Sequence, residues 1–428
     1  MEASSITSVE IDLGFPEHTV DLAGFCPPRG WDLSGEAMKA SLLLIALDNG
    51  EVLVFGSIDT LFLDSEFHDD LLAKLGHNYH LYLVASHTHN APSLARSVPL
   101  LGKVDEDWYS NVLVQIAEGI KTPPEHKITE IGQGSEDTEL VINRRLDAYQ
   151  LDYKQLKQGK FHLSKKVAMA PNGHGEIDKK IKTVFFKCAQ GKIRTVVWSL
   201  AAHPVFALSY RSMSADFPGQ VRSALKQSFG ENVVSIFLPG LAGSAIPRCK
   251  SKFFLSRSLS EHIIRFMPFN KSIPPFDKAN YKDWSQQVCD VVLRLCDKSE
   301  WVGIEGLLFR HVESQPLTIF KDRKRGEFDV TFRALAIGKQ IRFVLMNGEP
   351  LGEWTSILTS VTPADQFTVF SGYSSGTCLY IPPEAEIRRG GYEVERFQPF
   401  FGLNGLFVGN INKMFAKTIK TILNQLAT

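Results

Sequence analysis

Leu81-Tyr-Leu-Val-Ala-Ser-His-Thr-His-Asn-Ala-Pro-Ser93 is the stretch from which the rest of the chain is read. An apolar run with the character of a buried strand stops at Ser86. It releases His87 and His89 into a loop closed by Pro92. A strand end lets a rigid scaffold hold polar groups at the edge of a sheet. In a strand-like His-x-His both imidazoles point to one side, because the side-chain period is two. That suits one metal ion, or one ligand plus a hydrogen-bonding neighbour. A bare His-x-His is a weak pattern, equally compatible with an ordinary polar loop.

The 428 residues are enough for a large core. Lys plus Arg and Asp plus Glu are equal at 47 each, so formal charge is zero. The densest basic run, Lys321-Asp-Arg-Lys-Arg325, is broken by an aspartate and reads as a solvated loop. Nucleic acid is therefore excluded as the expected partner. Met1-Glu-Ala-Ser-Ser-Ile-Thr-Ser8 has neither a charged n-region nor an apolar h-region, and no run is long enough to span a bilayer. The six cysteines are scattered without a Cys-x-x-Cys and read as reduced thiols. A cytoplasmic enzyme without a transmembrane segment is the expectation.

Taken in order, Met38–Leu47 and Glu51–Ser57 predict a hairpin around Asp48-Asn49-Gly50. Ser65–Leu75 predicts a helix with Ser65 as N-cap and Gly76 as its end. Asp105–Lys121 predicts an amphipathic helix with Trp108, Val112, Ile116 and Ile120 on one stripe. Asn143, Arg144 and Arg145 follow directly on an apolar run. An arginine there reads first as a surface cation. Lys182–Lys187 and Ile193–Ala202 predict a second hairpin, whose second strand delivers His203-Pro204. Ser214-Ala-Asp-Phe-Pro-Gly219 opens a helix to about Phe229, with Asp216 near its start. Val233–Phe237 reads as a strand before the Gly-rich turn Pro239–Ser244, which lacks the Lys-Ser/Thr of a phosphate loop. Ser251–Asp297 reads as mostly helical. Strands are expected at Trp301–Glu313, Asp329–Ile337, Gln340–Met346 and Gln366–Phe370, and a last helix from Gly405 to Leu426. With no internal repeat or linker, residues 1–428 read as a single α/β domain of mixed β-sheets flanked by helices.

His87, His203 and Glu349 each follow an apolar strand. Two imidazoles, a carboxylate and an open position form the recurring ligand set of hydrolytic zinc sites. Alternatives remain for each at this stage: a satisfied core histidine for His203, a loop carboxylate for Glu349, and Glu353 as a competitor for its role.

The chain resembles the neutral/alkaline non-lysosomal ceramidase family, in its catalytic domain, from about Val9 to Phe401. The resemblance is carried by Ser86-His-Thr-His-Asn-Ala-Pro92, Asn143-Arg144, His203-Pro204, Ser214–Gly219, Pro239–Pro247, Asn347-Gly-Glu-Pro350, Tyr380 and Gly391-Tyr392. It implies one Zn2+ held by His87, His203, Glu349 and the phenolic oxygen of Tyr380. His89 and Arg144 would face a substrate carbonyl, and Tyr392 would line the substrate site. Zinc-bound water would then attack the N-acyl bond of a ceramide-like or other N-acylated, lipid-like small molecule. His89, Arg144 and Tyr392 would stabilise the charge that develops.

There are departures. Where the family carries Gly-Asp-x-Ser-Pro, this chain reads Gly243-Ser-Ala-Ile-Pro247, with Ser244 and Ile246 at the acid and serine positions. The histidine loop has Asn-Ala-Pro where the family has Ser-Gly-Pro. The C-terminal β-sandwich domain of typical ceramidases is not expected here. Two other readings follow: a zinc esterase or lactonase on the same scaffold, and a catalytically impaired member that binds an acylated ligand or partner. A metallo-β-lactamase is disfavoured, because His89 is not followed by the Asp-His that would complete that motif.

Overall fold

The computed structural model describes residues 1–124, 126–151, 153–206, 209–249, 273 and 278–427. Most of the expected helix over 251–277 lies outside the described residues; its remainder is the helix Lys278–Asp297.

An eight-stranded sheet runs in the order Ala3–Asp12, Lys39–Leu47, Val52–Ile58, Tyr79–Ala85, Phe367–Ser374, Ile341–Asn347, Phe332–Ile337 and Phe309–Glu313. A five-stranded sheet runs in the order Val234–Pro239, Ile193–Leu200, Lys180–Cys188, Ile128–Asp137 and Glu300–Gly303. The two sheets pack face to face. Phe55, Tyr82, Val84 and Phe343 from the first meet Val184, Phe186, Val197 and Ile236 from the second in one buried cluster. Alternation then sends Phe185, Val196 and Trp198 to the opposite face. There they meet Phe217, Val221 and Leu225 of the helix Phe217–Phe229, and Trp284 and Val288 of Lys278–Asp297. The outer face of the large sheet is covered by the helices Ser65–Leu75, Glu106–Lys121 and Ile411–Ala427. The result is four layers, helix–sheet–sheet–helix, which is the mixed α/β class expected. The buried stripe of Glu106–Lys121 includes Trp108, Val112, Ile116 and Ile120.

Several local expectations are corrected. Asp64, not Ser65, caps the first helix, its carboxylate accepting from the Phe67 amide. Trp301–Glu313 is two strands in different sheets, Glu300–Gly303 and Phe309–Glu313. Asp329–Ile337 is likewise split, into Gly326–Val330 and Phe332–Ile337. Gly405–Phe407 is a short strand, and the last helix begins only at Ile411. The strands Ile128–Asp137, Leu163–Asn172 and Leu317–Asp322 carry too many polar residues for their apolar alternation to stand out. In the basic loop, Asp322 is turned inward and accepts from the Lys324 and Arg325 amides, both at 2.8 Å.

Three parallel strand pairs position the site. Val52–Ile58 pairs with Tyr79–Ala85, Ile193–Leu200 with Val234–Pro239, and Ile341–Asn347 with Phe367–Ser374. Parallel pairing brings the C-terminal ends of both partners to the same edge, where α/β folds place their ligands. Strands Tyr79–Ala85 and Phe367–Ser374 touch at Val84 and Ser374, close to those ends.

Candidate metal centre

His87, His203 and Glu349 lie just beyond the ends of Tyr79–Ala85, Ile193–Leu200 and Ile341–Asn347. All three are buried, each about 1 % exposed. His87 sits at φ 62°, in left-handed conformation. The His-x-His is thus not the strand continuation its pattern predicts, and a non-glycine residue held there marks a constrained position. The backbone loops are clipped together: His89 N donates to Pro204 O, and Gly243 N to Pro350 O. At Gly243 a Cβ would come within 2.8 Å of Glu349 O, so only glycine permits this approach.

The polar atoms of the three side chains form a near-equilateral triangle. His87 Nε2 is 3.2 Å from His203 Nε2. Glu349 Oε2 is 3.3 Å from each of these nitrogens. A tetrahedral ion with ligand bonds of about 2.0–2.1 Å has ligand–ligand edges of about 3.3–3.4 Å. The other ring nitrogens are committed to main-chain carbonyls, His87 Nδ1 to Leu61 O at 2.9 Å and His203 Nδ1 to Ala242 O at 2.8 Å. Those carbonyls assign the Nδ1–H tautomer to both rings, leaving both Nε2 atoms as acceptors. Glu349 Oε2 has no hydrogen-bond partner. Three buried acceptors therefore face one point, and a cation at that point satisfies all of them. Burial and the nearby Arg144 cation push His203 down to about 4. For Glu349, burial acts upward, but His87 and His203 outweigh it and hold the carboxylate ionised.

Tyr380 is the parallel-ladder neighbour of Glu349, which places the two side chains on one face. Its hydroxyl accepts from Arg144 Nη2 at 3.1 Å. Arg144 is buried, so it is no surface cation. Its Nη2 also donates to Gly243 O at 2.8 Å, and its Nε to Glu393 Oε1 at 3.0 Å. Arg145, fully buried, donates to the other oxygen of Glu393 and to Glu386. The ring of Tyr392 lies 5.8 Å from that of Tyr380. Burial raises the Tyr392 phenol to about 12, so it remains a proton donor at neutral pH.

His89 lies with His87 and His203 in a group whose ligand atoms are all within 4.8 Å of one another. That group could hold a metal ion. His89 Nδ1 is 3.1 Å from Gly24 O, and its buried Nε2 has no partner. With Nδ1–H on the carbonyl, Nε2 is an acceptor. As held, His89 offers a ligand or a base and donates only after taking up a proton.

Glu353 stands apart from the triangle. Ser244 Oγ donates to Glu353 Oε2 at 2.6 Å, and Asn143 Nδ2 to Oε1 at 2.9 Å. Burial raises its pKa. Ser244 Oγ also accepts from Gly352 N at 2.9 Å, while Ile246 pairs with Ile142 in a short ladder. Sequence reasoning missed Tyr373 and Glu393. Tyr373 is buried at φ 62°, its ring centroid is 4.3 Å from that of His87, and its hydroxyl is unpartnered. The signal was a tyrosine at a strand end, hidden because the strand continues to Ser374 through residues that read as turn formers.

No protein-family model matches the chain, and no curated protein shows a significant sequence match to it. Solved structures do resemble it. The crystal structure of neutral ceramidase from Pseudomonas aeruginosa matches with a TM-score of 0.71 at 14% identity, over 100% of this chain and 76% of that one. A ceramidase complexed with C2 matches with a TM-score of 0.68 at 13% identity, over 99% and 75% of the two chains. This chain has the fold of the neutral ceramidases. Among the described residues, no helix is long and apolar enough to cross a membrane.

Proposed function

We propose that residues 1–428 form one catalytic unit, a zinc-dependent N-deacylase that hydrolyses the N-acyl bond of a ceramide-like or other N-acylated, lipid-like small molecule. The observation that carries this reading is the triangle of buried acceptors, His87 Nε2, His203 Nε2 and Glu349 Oε2, with edges of 3.2–3.3 Å. The ceramidase fold supports the choice of an amide substrate.

His87, His203 and Glu349 would hold the ion, with the Tyr380 phenolic oxygen as fourth ligand. When bound, the ion supplies Lewis acidity and brings the ionisation of water near neutral pH. The protein groups do the rest. Leu61 O and Ala242 O fix both ligand rings in orientation and tautomer. Arg144, locked by Glu393 and Gly243 O, sets a permanent cation beside the Tyr380 oxygen. Burial and the Glu349 charge raise the Tyr380 phenol well above its ordinary value; the Arg144 cation offsets part of this and attracts the charge that gathers on a carbonyl oxygen under attack. Tyr392 donates a proton-bearing hydroxyl to the same oxygen. His89, through the acceptor Nε2, takes a proton from the attacking water and returns it to the leaving nitrogen. The part-exposed Phe25 and Phe400 beside His89 and Tyr392 would form an apolar rim for the acyl chain. A cytoplasmic location belongs to the same proposal and is supported by six free cysteines.

A second reading, binding of an acylated ligand without turnover, is favoured by Ser244 and Ile246. Metal analysis together with turnover of paired N-acyl and O-acyl probes separates these readings. The N-deacylase predicts a stoichiometric metal and faster N-acyl turnover in the wild type than in His87→Ala or His203→Ala. Wild-type turnover no faster than that of the two variants would overturn it. Selective O-acyl cleavage would point to an esterase.

A further inference from the structure

The strand Tyr79–Ala85 carries a histidine cluster at each end. His87 follows its C-terminal end, and His80 stands at its start. At that start His80 Nε2 is 3.4 Å from Glu51 Oε1, and His311 Nε2 is 3.6 Å from Glu51 Oε2. The ring centroids of His80 and His311 are 4.6 Å apart. The ligand atoms of all three residues lie within 4.8 Å of one another. Both nitrogen–oxygen separations exceed the 2.7–3.2 Å of good N–H···O bonds. They approach the ligand–ligand edges of a tetrahedral ion, about 3.3–3.4 Å.

The three groups are held from outside the cluster. Asn49 Nδ2 donates to Glu51 Oε2 at 2.9 Å. The Tyr82 hydroxyl lies 2.9 Å from His311 Nδ1, from the same face of the strand as His80. With Nδ1–H donated to the phenolic oxygen, Nε2 is the free acceptor, and it is directed at the carboxylate. Two imidazoles and one carboxylate are a zinc donor set. The side chains are partly open to water, at 34%, 33% and 17% exposure for His80, Glu51 and His311. Solvent can therefore complete the coordination and exchange the ion.

We propose that Glu51, His80 and His311 form a second, exchangeable zinc site, independent of the buried centre. It clips three segments: Glu51, between the Asp48–Gly50 turn and the strand Val52–Ile58; the strand Tyr79–Ala85; and Phe309–Glu313, the last strand of the eight-stranded sheet. That last strand already folds back towards the first, with Phe309 N donating to Met1 O at 2.7 Å. The ion fastens this fold-back.

The test is Zn2+ titration of the full chain after chelator treatment, followed by calorimetry and thermal melts. The wild type is expected to bind two equivalents, and His80→Ala and His311→Ala one each. In His87→Ala/His203→Ala, one equivalent should remain and raise the melting temperature; adding His311→Ala should abolish both. Should the double variant fail to fold, the single variants at the exposed cluster decide. A folded His87→Ala/His203→Ala variant that binds no zinc, or His80→Ala and His311→Ala matching the wild type in stoichiometry, overturns the second site and leaves the buried one untouched.

Discussion

Both histidine clusters combine two imidazoles with a glutamate, yet they differ in what holds them. At the buried cluster both the His87 and His203 rings are anchored to main-chain carbonyls, and Glu349 Oε2 has no hydrogen-bond partner and lies 3.3 Å from each ring nitrogen. At the half-exposed cluster the supports are side chains, Asn49 and Tyr82, and the carboxylate is already part satisfied. The contrast is between a site preorganised by strand ends and one assembled from a turn and two strand faces. Preorganised, dry donors bind tightly and act electrostatically; wetter donors exchange.

The sharpest way to break this contrast is to remove a buried ligand. His203→Ala or Glu349→Gln should cost several kcal/mol of transition-state stabilisation, about 10³-fold or more in kcat/KM. Steady-state turnover of an N-acyl probe, with metal analysis of the same samples, checks this. A loss below tenfold would put the chemistry elsewhere.

Next in size is Arg144. Replacing it with Met strands part of the Glu393 charge in a buried setting, although Arg145 still pairs the other oxygen. A loss of about 3 kcal/mol in unfolding free energy is expected, at the lower end for a broken buried pair. Urea denaturation reads it directly. An unchanged midpoint would mean that Arg145 alone suffices.

A third histidine gives the comparison a control without a metal. Burial, reinforced by the Arg333 cation, pushes His68 down to about 4; its Nδ1 lies 2.8 Å from Ser375 Oγ. The unfolded chain takes up this proton near the ordinary value of about 6.5, the folded chain only near 4. The unfolded state thus binds more protons across that window. Stability is complete above it and falls by up to about 3 kcal/mol as pH drops through it. His68→Gln should flatten this part of the pH profile, and identical profiles would remove His68 as its source.

The smallest effect is expected at Ser244. Ser244→Ala leaves Glu353 Oε2 and Gly352 N without that partner, costing about 1–3 kcal/mol. If Ser244 only supports the loop, activity at permissive temperature should stay within a few-fold. A loss near a hundredfold would make it part of proton handling.

Much of this was legible in the sequence. An apolar run ending in a polar residue recurs at His87, His203 and Glu349, and parallel pairing turns that local pattern into spatial convergence. What stayed hidden depended on pairing partners far along the chain. Arg144 reads as a surface cation from its own stretch until Glu393, 249 residues away, supplies its counter-charge. His89 reads as a substrate-facing donor until Gly24 O fixes its tautomer. Glu349 and Glu353 are indistinguishable in sequence; a 3.3 Å approach to two histidines separates one, and Ser244 and Asn143 claim the other. The polar strands were lost because their faces border loops as well as core.

The most direct measurement is anomalous diffraction at the zinc edge from crystals of the metal-loaded protein. A peak about 2.0–2.1 Å from His87 Nε2, His203 Nε2 and a Glu349 oxygen is the expected result, whatever the occupancy at the Glu51 cluster. A zinc-saturated crystal showing the two imidazoles hydrogen-bonded to Glu349, with no anomalous peak between them, would contradict it.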